Sequence, residues 1–188
     1  MRECGGEVDL SALAQSIRAA DRVVLPGVGA FSDAMDGMNK TGLASALVEF
    51  ARTGRPLLGI CLGMQMLMTA SEEFGTRPGL GLISGPVVQI PRRVGLKVPH
   101  TGWSEIYPST PGAWNSTILA EAAPGTPVYF VHSYSAIPDN ESDRLADVNY
   151  GGFRVSAAVR RDNVTGCQFH PEKSGTVGLA ILRSFLNS

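Results

Sequence analysis

The first seventy residues alternate short apolar runs with segments whose apolar residues recur at helical spacing. Two apolar runs are stopped by Pro or Gly, which is typical of buried strands. Between them lie longer amphipathic segments, the first of which has Asp9 or Ser11 as a possible helix cap. Strands that alternate with helices predict a parallel sheet covered on both faces. The predicted elements are, in order, a helix over 9–20, a strand over 22–25, a helix over 32–52, a strand over 56–60 and a helix over 62–71.

From Gly81 the pattern changes to short apolar or alternating runs separated by turn residues, which predicts an antiparallel portion of the sheet. A final helix is predicted over 175–186. The expected fold class is α/β: a mostly parallel open sheet with helices on both faces and an antiparallel extension. We expect a single domain over residues 1–188. The strands predicted in the second part span 87–90, 102–106, 128–131, 145–150, 153–159 and 164–169.

Composition and charge narrow the classes of function. The chain has 188 residues, 44% apolar and 18% charged, with a net charge of -1. This balance gives no reason to expect nucleic acid or an anionic membrane as a partner. No apolar stretch approaches the roughly 20 residues of a membrane helix, and the first residues lack the apolar core of a signal peptide. We therefore expect a cytoplasmic protein.

The three cysteines are Cys4, Cys61 and Cys167. An odd and sparse set is a poor disulfide framework, and no pair has the Cys-x-x-Cys spacing of a zinc site. We expect no bound metal. Cys4 near the terminus and Cys167 inside an apolar run are interpreted as inert thiols.

Gly59-Ile60-Cys61-Leu62-Gly63 lies where a predicted buried strand meets a predicted helix. It is the cysteine form of the nucleophile elbow, in which glycines keep side chains out of a sharp strand-to-helix turn. A helix that begins at Leu62 directs its positive end at the sulfur and favours the reactive thiolate. The pentapeptide alone fits an inert buried cysteine equally well.

A nucleophilic cysteine needs a base, and the base needs a group that orients it. His170 follows an apolar run, and Glu172 lies two residues further on, on the same face of an extended segment. His132 also follows an apolar run and is the rival base. His100 lies in a turn. Neither rival has a carboxylate two residues on, so His170 is preferred.

Taken together, three segments in this order and spacing resemble the class I glutamine amidotransferases. They are Pro26-Gly27-Val28-Gly29, Gly59-Ile60-Cys61-Leu62-Gly63-Met64-Gln65 and His170-Pro171-Glu172. Finer features are similar to the glutaminase subunits of imidazole glycerol phosphate synthase, and the resemblance covers about residues 6–186. These features are Pro26 to Phe31, Pro99-His100-Thr101-Gly102-Trp103 with Ser104 where Asn is usual, Tyr129 to Tyr134, and Phe169 to Gly175.

The resemblance implies that Cys61 attacks glutamine, that His170 transfers protons and that Glu172 orients His170. It implies a (β/α)8-barrel cyclase subunit as partner, which uses the ammonia to make imidazole glycerol phosphate and aminoimidazole carboxamide ribonucleotide in histidine biosynthesis. It implies no cofactor. The remaining implied roles are binding of glutamine by Gly29, Gln65, Ser133 and Tyr134, an oxyanion hole of backbone N–H groups from Val28, Gly29 and Leu62, and contact with the partner through Trp103 and Lys173.

One feature departs from the family. Its members open with a strand and an Asp-Tyr-Gly-x-Gly-Asn-like turn, whereas residues 5–9 resemble the entry into the second strand. A late assigned start codon and a degenerate, poorly active paralogue both explain this departure. We prefer the first because every triad position is present.

Other functions stay open at this point. The chain can be an amidotransferase that serves another synthase, such as one for a modified surface sugar. It can also be a binding module that keeps the fold without catalysis. Hydrolysis of an amide other than glutamine is disfavoured by Gln65 and by the run from Tyr129 to Tyr134.

Overall fold

The computed structural model describes residues 1–188 as five α-helices and eleven strands. The helices are α1 (Ala14–Ala19), α2 (Phe31–Thr41), α3 (Leu43–Arg52), α4 (Leu62–Leu67) and α5 (Gly175–Leu186). The strands are β1 (Val23–Gly27), β2 (Leu57–Cys61), β3 (Met68–Ser71), β4 (Arg77–Pro78), β5 (Ile83–Gln89), β6 (His100–Pro108), β7 (Thr126–His132), β8 (Tyr134–Ala136), β9 (Arg144–Tyr150), β10 (Phe153–Arg161) and β11 (Val164–Cys167).

The main sheet has seven strands in the order β1-β2-β11-β10-β9-β6-β7. Strands β1, β2 and β11 run parallel, and the others join antiparallel. The parallel part with an antiparallel extension is therefore confirmed. A second sheet of four strands, in the order β4-β3-β5-β8, lies beside it and was not predicted. None of the helices has the length and apolar character that a bilayer-spanning helix requires.

Helices cover the sheet on both faces, as the apolar runs of the parallel strands predict. Leu57 and Leu58 are adjacent on β2, point to opposite faces and are both completely buried. Leu58 belongs to a core cluster with Phe185 of α5, and Leu57 belongs to another with Phe50 of α3. The strand that ends at Cys61 is thus held from both sides.

Three predicted helices were wrong in extent. The segment 32–52 is two helices, because Gly42 adopts a left-handed conformation with φ 74°. The helix predicted over 62–71 ends at Leu67, where the backbone carbonyl accepts from the N–H of Leu82, and the chain continues as β3. The first helix covers only Ala14–Ala19, and its N-cap is Leu13 rather than Asp9 or Ser11.

The turn from β2 into α4 depends on two glycines. A Cβ added at Gly63 would lie 1.8 Å from the backbone oxygen of Leu25 on β1. A Cβ added at Gly59 would lie 2.7 Å from the backbone of Gly63. Both distances are far below van der Waals contact, so the bend requires glycine at each position.

We expect Gly63→Ala to lower the free energy of unfolding by at least about 3 kcal/mol, because the methyl group must displace backbone on β1. Chemical denaturation followed by circular dichroism measures this loss. Gly37→Ala is the matched control: Gly37 lies inside α2 with open space around an added Cβ, and alanine favours a helix by up to about 1 kcal/mol. An unfolding midpoint unchanged by Gly63→Ala would contradict the close approach.

Candidate active site

Cys61 lies at the last position of β2 and is the N-cap of α4. Its φ of 55° is unusual for a residue with a side chain, and such strain is concentrated at functional sites. The side chain is buried. Its Sγ lies 3.8 Å from the backbone oxygen of Val131, to which a thiol donates, and 3.8 Å from Nε2 of Gln168, which donates to sulfur.

His170 follows β11 and is held in place through its backbone and its ring. Its N–H donates to the carbonyl oxygen of Tyr129 at 2.9 Å, and its carbonyl oxygen accepts from Oγ of Ser174 at 2.7 Å. Its Nδ1 donates to Oε1 of Glu172 at 2.7 Å. Because a carboxylate fixes the tautomer of the imidazole it binds, the other ring nitrogen, Nε2, remains free for chemistry.

The pKa of His170 is raised from 6.5 to about 9 by the Cys61 side chain first and by Glu172 second, against the effect of burial. For Glu172, burial is the largest single effect and opposes ionisation, but the hydrogen bond to His170, backbone hydrogen bonding and the nearby charges of His170 and Lys173 together lower the pKa. The raised pKa of His170 contributes stability that is complete below pH 6.5 and is lost as the pH rises through about 9.

Nε2 of His170 is buried and has no hydrogen-bond partner. Cys61 is the largest cause of the raised pKa of His170, yet no bond of normal geometry joins Sγ to Nε2. The two side chains are close neighbours that are not aligned for a hydrogen bond at rest. A buried ring nitrogen without a partner is costly, which is typical of a catalytic group that awaits its substrate.

The rival base His132 has no free nitrogen. Its Nδ1 lies 2.8 Å from the carbonyl oxygen of Tyr134 and must donate, because a carbonyl only accepts. Its Nε2 therefore accepts from Nδ1 of His100 at 2.9 Å, and Nε2 of His100 accepts from Oγ of Ser104 at 2.8 Å. Burial lowers the pKa of His100 to about 4 and that of His132 to about 3.

Gln65 lies one turn into α4 and is buried. Its Nε2 donates to the carbonyl oxygen of Tyr134 at 3.2 Å and to Oε1 of Gln168 at 3.0 Å. The backbone of Tyr134 therefore binds both Gln65 and His132. The adjacent Ser133 accepts from the N–H of Ile90 through its carbonyl oxygen, at 2.9 Å.

Residues 28–30 form an open segment between β1 and α2. Val28 is 82% exposed, and Gly29 has a φ of 98°. The segment ends where Oε2 of Glu73 accepts from the N–H of Phe31 at 2.7 Å. Leu62 is buried at the first position of α4, where backbone N–H groups have no partner within the helix.

Trp103 and Lys173 meet at Tyr129 on the outer pair of strands, β6 and β7. Trp103 is directly opposite Tyr129 in the register, and their rings make an edge contact at 6.0 Å. Nζ of Lys173 lies 5.8 Å from the ring centre of Tyr129. Trp103 is 57% exposed, so these three side chains form an accessible aromatic and cationic patch, called the Trp103 patch below.

The structure thus brings together Cys61, Gln65, Tyr134, His170 and Glu172 among the residues singled out from the sequence. Sequence reasoning missed two polar side chains, Gln168 and Glu73. Gln168 carried a usable signal, because it lies two residues before His170 in the run predicted as a strand, and alternate residues of a strand share a face. Glu73 carried none. No group of three or more His, Cys, Asp or Glu side chains is arranged to hold a metal ion.

Comparisons with known proteins agree with this geometry. The family described as glutamine amidotransferase class-I matches residues 6–188. "Imidazole glycerol phosphate synthase subunit HisH 1" of Legionella pneumophila (strain Lens) is 49% identical over 185 residues, 95% of this chain and 86% of that protein. "Imidazole glycerol phosphate synthase subunit HisH" of Streptococcus sanguinis (strain SK36) is 47% identical over 180 residues, 95% of this chain and 83% of that protein.

A solved structure described as a glutamine amidotransferase superposes with a TM-score of 0.73, covering 99% of this chain and 88% of that chain at 18% identity. At that identity the likeness shows the fold alone. The family match over nearly the whole sequence, the two close relatives and the shared fold lead to one conclusion: this chain belongs to the class I glutamine amidotransferase family.

Proposed function

We propose that this chain is the glutaminase subunit of imidazole glycerol phosphate synthase, which hydrolyses glutamine and passes ammonia to a cyclase in histidine biosynthesis. Residues 1–188 act as one domain in this proposal. The observation that carries it is the strained, buried Cys61 beside the His170–Glu172 pair. The names of the close relatives supply the pathway.

In the first half of the reaction, the Cys61 thiolate attacks the side-chain carboxamide carbon of glutamine. Backbone N–H groups of Leu62, Val28 and Gly29 stabilise the oxyanion that develops. His170, whose raised pKa keeps it protonated at neutral pH, donates its Nε2 proton to the departing nitrogen. Ammonia leaves, and a glutamyl thioester remains on Cys61.

In the second half, the neutral imidazole of His170 takes a proton from water, which attacks the thioester carbon. The tetrahedral intermediate collapses, glutamate leaves and the sulfur returns to its starting state beside protonated His170. Glu172 keeps Nδ1 as a donor throughout, through its 2.7 Å bond. The net change is glutamine plus water to glutamate plus ammonia.

Four residues hold glutamine in this proposal. Gln65 and the strand end at Ser133 and Tyr134 form the pocket wall, and Gly29 closes it from the opposite loop. The shared Tyr134 carbonyl joins Gln65 to the buried His132. This wall is therefore rigid and uncharged, which suits a zwitterionic substrate whose reactive end is a neutral amide.

The partner in this proposal is a (β/α)8-barrel cyclase subunit that docks over the Trp103 patch. The relatives are named as subunits, which implies a cyclase that consumes the ammonia. Exposed aromatic side chains are enriched at the centres of protein interfaces. Lys173 follows Glu172 directly in the sequence, so a partner on this patch lies next to the His170 turn and can receive ammonia without its escape into solvent.

Cys61→Ala should abolish glutamate release, with a fall in kcat of at least about 1,000-fold, because the covalent step has no nucleophile. Purified protein mixed with its cyclase is assayed for glutamate by coupled oxidation. Cys4→Ala is the matched control, because its thiol bonds to the Leu179 carbonyl oxygen outside the site. Glutamate release that persists in Cys61→Ala would remove the mechanism.

Glu172→Gln should lower the pH at which kcat/KM falls on the alkaline side. The pKa of His170 is about 9 partly because of Glu172, so its removal shifts the titration toward 6.5 and deprotonates the acid at pH 8. Because Cys61, the larger cause of the raised pKa, is still present, we expect kcat/KM at pH 8 to fall by about tenfold, and by no more than about 30-fold, the loss of protonated acid that a pKa of 6.5 gives. The measurement is the pH profile of kcat/KM, which reports the ionisations of the free enzyme. An alkaline limb that stays near pH 9 would show that Glu172 does not set the ionisation of His170.

Trp103→Ala should weaken binding of the cyclase by about 30-fold, since a central aromatic anchor contributes about 2 kcal/mol. Isothermal titration measures the affinity, and alkylation of Cys61 reports an undisturbed site. Leu13→Ala is the control, because Leu13 is also exposed but precedes α1. Equal affinities for both variants would place the docking surface elsewhere.

A further inference from the structure

Gln168 is completely buried between two groups of the site. Its Oε1 accepts from Nε2 of Gln65 at 3.0 Å, and its own Nε2 donates to Sγ of Cys61 at 3.8 Å. No other side chain of the protein donates a hydrogen bond to this sulfur. One amide group therefore contacts both the nucleophile and a residue assigned to the glutamine pocket.

The direction of these bonds follows from one backbone atom. The carbonyl oxygen of Tyr134 can only accept, so the NH2 group of Gln65, not its oxygen, must face it. The same NH2 group donates its second hydrogen to Gln168, which must present Oε1 in return. The NH2 group of Gln168 is then left facing Cys61. The two amide orientations are thus fixed in sequence from Tyr134 to the sulfur.

This order has a consequence at each end. At Gln65, both amide hydrogens are used inside the protein, and Oε1 receives no hydrogen bond from the chain. That oxygen is not among the buried atoms without a partner, so it is an acceptor available to a donor on the ligand. The α-ammonium group of an amino acid is such a donor.

At Cys61, two contacts favour opposite forms of the sulfur. The carbonyl oxygen of Val131 accepts from a thiol and repels a thiolate, whereas the N–H of Gln168 stabilises a thiolate. Protonated His170 lies beside the sulfur, but its Nε2 makes no hydrogen bond to it at rest. Loss of the Gln168 donor therefore leaves the Val131 carbonyl contact opposed by no hydrogen bond from a side chain. The balance between the two forms then moves toward the unreactive thiol.

We propose that Gln168 is a positioning residue whose single amide both immobilises Gln65, by accepting the second hydrogen bond of its NH2 group, and donates to the Cys61 thiolate. The predicted effects of Gln168 on kcat and KM rest on the proposed glutaminase function. Its two contacts also predict effects that are measurable without any turnover.

Gln168→Glu separates the two contacts because it is isosteric. A carboxylate keeps an acceptor for Gln65 but replaces the donor at the sulfur with a negative charge. We expect the pH midpoint for alkylation of Cys61 by iodoacetamide to rise by about one unit, and kcat to fall about tenfold while KM stays close to its original value. Mass spectrometry of the peptide that contains Cys61 follows the alkylation.

Gln168→Met removes both contacts at similar side-chain volume. The alkylation midpoint should again rise, and KM for glutamine should now rise about tenfold because Gln65 keeps only its hydrogen bond to Tyr134 and is held less firmly. The matched control is Gln15→Glu, an exposed glutamine in α1, which should change none of these values. If Gln168→Glu does not fold, Gln168→Met by itself still tests both proposed roles of Gln168.

Unchanged alkylation midpoints in both variants would overturn the role at the sulfur, and an unchanged KM in Gln168→Met would overturn the role at Gln65. A merely structural role would lower stability without moving either value. These results are distinct from failure of the proposed function. In that case the wild-type chain with its cyclase releases no glutamate, and the alkylation midpoints still test Gln168.

Discussion

The site depends on a contact between backbones at the bend that carries Cys61. Helix α4 begins directly after β2 and passes so close to β1 that only a hydrogen atom fits at Gly63, and so close to β2 that only a hydrogen atom fits at Gly59. This close approach gives Cys61 its positive φ and sets where the first turn of α4 begins. The same bend positions Leu62 and Gln65. It therefore sets the positions of the nucleophile Cys61, of the proposed oxyanion donor Leu62 and of Gln65 in the proposed pocket wall.

Much of this arrangement could be predicted because it is encoded locally. The elbow is a five-residue pattern at a change from strand to helix. The pairing of His170 with Glu172 was predicted from their separation by two residues, and a 2.7 Å bond joins them. The extended conformation predicted for this segment was wrong, because Pro171–Lys173 form a short 3-10 helix, which also directs Glu172 back to the ring of His170. Helix α5 was predicted with its bounds, since its apolar spacing is regular. Local periodicity also predicted the strands of the main sheet to within a few residues.

What could not be predicted depends on contacts between distant segments. Helix α4 ends at Leu67 because the carbonyl oxygen of Leu67 accepts a hydrogen bond from the N–H of Leu82. No local feature of the sequence predicts this contact. The second sheet forms because residues 68–71, predicted as the end of this helix, are instead strand β3, which pairs with β4 and β5. The two hydrogen bonds donated by the Gln65 amide go to Tyr134 and Gln168, which are 69 and 103 residues away in the sequence. Apolar periodicity gives no information about such polar contacts.

The buried histidines His100 and His132 do not change their charge near neutral pH. Both rings stay neutral above about pH 4 and pH 3, while His170 stays protonated until about pH 9. These are all three histidines of the chain. In the resting protein none of them therefore changes its charge with pH between about pH 4 and pH 9. Over that range the pH of the medium does not alter what the three histidines contribute to the field that an arriving glutamine meets, so substrate enters the same histidine charges in mildly acidic and in mildly alkaline surroundings.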